Sequence, residues 1–170
     1  MTDSETLHSL QTLQRPWINH NFPNHKPWHP LLGLVEEFGE FAAAGTDADR
    51  ADAVADVMIF AADYCTSMGW KLSDIWTESN SAEIINGVQS VKERLETAVL
   101  INLGKLCHAH LKQVQGIRVE EDWTIEGRLA LAKLFALLRE MSGVDAVAAA
   151  KRVWDGVVSK RDWVRNPVNG

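Results

Sequence analysis

Cysteine is scarce. Cys65 and Cys107 are the only two, each inside an apolar run, so a disulfide framework is excluded and a reducing compartment is expected. Positive charge is also in deficit, with 17 Lys and Arg against 23 Asp and Glu. The net charge of −6 argues against a partner such as a nucleic-acid polymer, which is gripped through a basic surface. Small phosphorylated ligands stay open, because a bound metal reverses the sign of a site. No apolar stretch reaches membrane-spanning length, and the opening MTDSETLHSL lacks the basic-then-apolar layout of a signal peptide. A cytoplasmic protein without a membrane partner is expected. No Gly-rich phosphate loop followed by Lys-Ser/Thr occurs, and no nucleophile elbow. No convincing strand alternation appears either.

What is present is helical periodicity. The chain, 170 residues long and 46% hydrophobic, is long enough for one domain with a real core. Leu7, Leu10 and Leu13 mark a helix over 3–14 that Pro16 ends. Four of the five prolines fall within 15–30, which reads as an ordered loop rather than a linker. Further helices are predicted over 31–44, 48–68, 89–115, 124–141 and 144–160, with an interrupted apolar stretch at 71–88. Thr46 or Asp47 is the candidate cap of the second of these. The fold class predicted is an all-α helical bundle with a four-helix core and further C-terminal helices, all one domain. A degenerate duplication is also legible, with half-repeats 31–88 and 95–160. LVEEFGEFAAA aligns with VLINLGKLCHA and AVADVMIFAAD with ALAKLFALLRE, the apolar positions shared and the acidic ones replaced.

Two acidic clusters carry the chemistry. The first is Leu34-Val35-Glu36-Glu37-Phe38-Gly39-Glu40-Phe41 and the second Asp52-Ala53-Val54-Ala55-Asp56-Val57. Residues three or four apart share a helix face, so Glu37 and Glu40 point one way, as do Asp52 and Asp56. Carboxylates leave water only when paired or bound to a cation, and neither cluster contains a basic partner. Antiparallel packing of the two helices would let four carboxylates converge, the ligand set of Mg2+ or Mn2+. Glu36 and Asp49 also suit a solvated surface.

Cations beyond a metal are offered by Lys151, Lys160 and Arg161, with a weaker claim for Lys105 and Lys133. Positive charge at a helix C-terminus is the structural alternative. Trp17 could stack on a base and Asn21 hydrogen-bond to it. Most of the seven tryptophans must be core, with Trp70, Trp76 and Trp123 near helix ends. His20, His25 and His29 lack zinc-finger spacing and are read as ordering their loop.

Glu36-Glu37-Phe38-Gly39-Glu40 resembles the EExxE signature of the MazG-like, all-α nucleoside triphosphate pyrophosphohydrolases, and the second cluster resembles their ExxD block. Similar to family sequence too are the Asn-Phe-Pro loop within 17–30, Leu106-Cys107-His108-Ala109-His110-Leu111-Lys112 with Gln115-Gly116-Ile117-Arg118, and the closing Trp154 to Trp163. The resemblance implies hydrolysis of a (deoxy)nucleoside triphosphate to monophosphate and pyrophosphate, with Mg2+ or Mn2+ held by Glu37, Glu40, Asp52 and Asp56. One of Glu36, Glu37 or Asp52 would act as general base, with Glu36 and Glu37 the catalytic candidates, and a homodimer or homotetramer is implied. One departure stands out: Ala53 occupies the position where the family has Glu, and Asp52 is its substitute. Three alternatives follow. They are a dUTP or dCTP pyrophosphatase, an enzyme for purine deoxynucleotides such as dGTP, and a catalytically inactive nucleotide- or metal-binding regulator.

Overall fold

The computed structural model describes residues 1–90, 94–117 and 119–165, and among them the chain is all-α, eight helices with no strand. Arg118 and the tail Asn166-Pro167 lie outside the described residues, as does 91–93 within the helix predicted over 89–115. Two compact units form, one from residues 1–73 and 144–170, the other from 74–143.

The first unit contains α1 (Asp3–Asn21), α2 (Trp28–Ala43), α3 (Asp47–Ser67) and α8 (Ala146–Gly156), followed by a 3₁₀ turn at Val158–Lys160. Helix α3 is its centre and packs against α1, α2 and α8. That position explains why α3 is apolar almost all round, with Val54, Val57, Met58, Ala61 and Ala62 fully buried. Thr46 caps it through a capping box, accepting from the Asp49 N–H while the Asp49 carboxylate accepts from the Thr46 N–H. Gly33 sets how closely α2 meets α3, because a Cβ there would lie 2.4 Å from the Phe60 ring.

Pro16 does not end α1, as the sequence predicts. The helix runs through it to Asn21. One backbone bond is lost, but the last turn is fastened from elsewhere. Ile18 is buried, Trp17 Nε1 donates to the Arg161 carbonyl at 3.0 Å, and the Trp163 N–H donates to Asn21 Oδ1 at 2.7 Å. Helix α2 begins at Trp28, ahead of the predicted 31, with Pro30 in its first turn, where no N–H is needed.

The second unit is built on α6 (Leu95–Gln115) packed against α7 (Glu120–Ser142), with α5 (Ala82–Gln89) on α7. Helix α4 (Leu72–Glu78) spans the boundary. Within this unit the Arg139 guanidinium lies over the Trp76 ring, 4.5 Å from its centroid, and donates to the Ser79 carbonyl and hydroxyl. Gly116 and Gly143 end α6 and α7 with φ of 64° and 65°, the left-handed cap conformation.

The aligned sequence segments fall in α2 and α6 and in α3 and α7. The compact units follow other boundaries than the half-repeats, since α8 joins the first unit and α5 the second. Helix α8 is therefore no peripheral addition, because it packs on α3. Cys65 is buried, Cys107 half-buried, and neither is in a disulfide. Among the described residues no helix is long and apolar enough to cross a membrane.

Candidate functional site

A cavity of about 400 Å³ opens in the first unit, where α2 and α3 meet α1 and the segment after α8. Glu37 and Asp56 reach it from the acidic clusters. Trp17, Phe22 and Phe60 supply aromatic wall, and Arg161 supplies positive charge. Gln14, His25 and Asp63 add polar groups at the lining.

Glu37 is the buried member of the acidic group, 7% exposed, and its Oε2 has no hydrogen-bond partner among the described residues. Burial, reinforced by the negative charges of Asp56, Glu40, Glu36 and Asp52, pushes its pKa up to about 8. Asp56 is raised to about 6 by burial and the charge of Asp52, against the pull of Arg161. These acids thus sense one another across α2 and α3. Glu36, Glu40 and Asp52 face solvent while Glu37 and Asp56 turn inward. Among the described residues no three Asp, Glu, His or Cys side chains are grouped closely enough to hold one ion. The donor chemistry nevertheless fits a hard divalent cation. Carboxylate oxygens are its preferred ligands, Glu37 has a buried oxygen without a partner among the described residues, and Glu40 and Asp52 lie exposed on the same two helices.

The predicted cations separate. Arg161 lines the cavity and lies 5.7 Å from the Trp163 ring centroid. Lys151 does not reach it. Its ammonium pairs with Asp155 one turn on, beside a small cleft with Met1 and Leu13. Lys160 donates to the Gly156 carbonyl at 3.0 Å, a helix C-terminal contact. Lys105 and Lys133 line a cavity of about 250 Å³ in the second unit with Asn102 and His108. Asn102 and Lys133 there align with Glu37 and Asp56 of the first unit.

Trp17 lines the cavity, edge-on to Phe22 and Trp154. Asn21 does not. Its Nδ2 donates to the Trp17 carbonyl and its Oδ1 accepts from Trp163, so the amide serves the α1 terminus instead of a base. His20 binds Asp162 at 3.2 Å from the last turn of α1, and His25 stacks edge-on at 5.2 Å against His29 in the first turn of α2, so only His25 belongs to a loop.

Sequence reasoning passed over Gln14, Asp63 and the cavity role of His25. Asp63 is buried and raised to about 7 by burial, with Arg15 opposing. His25 Nε2 lies 2.9 Å from Asp63 Oδ2, at an angle short of a hydrogen bond, and burial lowers the pKa of its imidazole. The signal available for Asp63 was a lone carboxylate in the apolar run Ile59 to Cys65.

No protein-family model, curated protein or solved structure matches this chain.

Proposed function

We propose that the protein hydrolyses a (deoxy)nucleoside triphosphate to the monophosphate and pyrophosphate. The observation that carries this reading is the adjacency, in one cavity, of inward-turned Glu37 and Asp56, the Arg161 guanidinium and an aromatic wall. Glu37, Glu40, Asp52 and Asp56 would hold Mg2+ or Mn2+. When bound, such an ion would clamp the triphosphate and offset charge on the leaving pyrophosphate. Arg161 binds a phosphoryl group through paired N–H donors. Trp17 and Phe60 shield the nucleoside from water. Glu37 takes the proton of the attacking water as the new phosphorus–oxygen bond forms and the bond to pyrophosphate breaks. Its inward position supports it over Glu36, which faces solvent.

Exposed Leu100, Leu111 and Val114 share one face of α6, the kind of apolar surface a second copy would cover. This supports the homo-oligomer that the family resemblance implies.

Pyrophosphate release, assayed with each dNTP and Mg2+ or Mn2+, tests the reading. Turnover of at least one nucleotide is expected, with Glu40→Gln lowering kcat at least about 100-fold while circular dichroism is unchanged. No release from any nucleotide overturns it. A second reading, an inactive nucleotide- or metal-binding regulator, is favoured by Ala53 and by the solvent-facing Glu40 and Asp52. It requires binding without turnover.

A further inference from the structure

Two buried acceptors at the cavity lining lack the donors they need. Gln14 is 3% exposed and Asp63 4%. Gln14 Nε2 donates to the Ile59 carbonyl at 2.8 Å, which fixes the amide and leaves Oε1 as its unused atom. Neither Gln14 Oε1 nor Asp63 Oδ1 has a hydrogen-bond partner among the described residues. Both side chains line the same cavity as Trp17, Phe22 and Phe60. The other carboxyl oxygen, Asp63 Oδ2, is the one beside His25 Nε2. Burial raises this carboxyl to about 7, so at pH 8 it is mainly ionised and Oδ1 accepts. Buried polar groups of this kind are normally satisfied, and a ligand that leaves them unsatisfied binds poorly.

Trp17, Phe22 and Phe60 offer aromatic surface for a flat ring to lie against, and two acceptors select one rich in N–H donors. We propose that this pocket recognises the amino-bearing nucleobases adenine, cytosine and guanine and rejects thymine and uracil. The exocyclic amino group of adenine or cytosine carries two hydrogens, and guanine offers its ring N–H beside its amino group. Thymine and uracil present a single N–H flanked by two carbonyl oxygens, which would face the two acceptors. Discrimination comes from the repelled oxygens as much as from the bonds gained.

This inference rests on the nucleotide reading above, and its test is independent of hydrolysis. Binding of dAMP, dCMP, dGMP, dTMP and dUMP to the full chain is measured by calorimetry in EDTA at pH 8. At least one amino-bearing monophosphate should bind at least tenfold more tightly than both dTMP and dUMP. Asp63→Asn, whose amide can donate, and Gln14→Met, which deletes Oε1, should each shrink that ratio, with circular dichroism reporting the fold. A wild-type ratio below tenfold, no binding by any of the five, or an unchanged ratio in the folded variants overturns the proposal. Selective binding without pyrophosphate release from any triphosphate would leave it standing and overturn the hydrolytic reading.

Discussion

Burial of an acid makes stability depend on pH, and two residues of this chain are affected most. Asp63 is lifted by burial to about 7, and Glu37 to about 8 by burial with Asp56 beside it. In the unfolded chain both lose their protons near pH 4. Between there and the folded values the native state holds more protons, so stability falls as pH rises through that window and the loss is complete above it. Asp63→Asn removes one such penalty. Its advantage over wild type should grow by roughly 1–3 kcal/mol between pH 5 and pH 8 in urea unfolding. An advantage that does not change with pH would contradict the burial argument. Sequence exposes such residues unevenly. Glu37 and Asp56 were legible because their clusters place carboxylates one turn apart in apolar surroundings. Asp63 stands two turns beyond Asp56, a single charge with no companion, and pattern alone did not single it out. Gln14 and Asn21 owe their roles to partners far along the chain, Ile59 and Trp163, which no local spacing encodes.

At the level of elements, two glycines on α2 separate packing from propensity. Gly33 faces α3, and a methyl there would overlap the Phe60 ring. Gly33→Ala should therefore cost about 1–3 kcal/mol and disturb the cavity that Phe60 lines. Gly39 has nothing within 4 Å of its missing Cβ. Gly39→Ala should gain up to about 1 kcal/mol from helix propensity alone. Thermal melts of the two variants give opposite signs, and matching signs would refute the close approach of α2 and α3. Apolar periodicity made most helices readable, and Thr46 was readable from its chemistry, but α4 and α5 were not seen within the interrupted stretch 71–88. The end of α1 was not. Proline's penalty at position 16 is local, while the contacts that outweigh it, to Arg161 and Trp163, are not.

For the whole molecule, the organising fact is that the first unit draws on both ends of the described chain. Three links join α1 to the segment after α8. They are Trp17 to the Arg161 carbonyl, Asn21 to the Trp163 N–H, and His20 to Asp162. A chain stopped after Val157 loses all three, together with the Arg161 charge. It should melt several degrees lower, as loss of about 1–3 kcal/mol implies, and should not release pyrophosphate. An unchanged melting temperature would show that these links are ornamental. Sequence revealed the class, all-α, and the likeness of the segments in α2 and α6 and in α3 and α7. It did not reveal that α8 packs on α3, because amphipathic helices of similar pattern do not state which neighbour they will meet.

That arrangement sets an order of events during synthesis. The second unit is continuous and is synthesised entire before residue 144 is added, whereas the first waits for its closing helix. Helix α3, apolar on nearly every side, spends that interval without α8 over it. A nascent chain paused before Ala146 therefore carries an unfinished hollow and a sticky rod, the state in which a chaperone would be needed most.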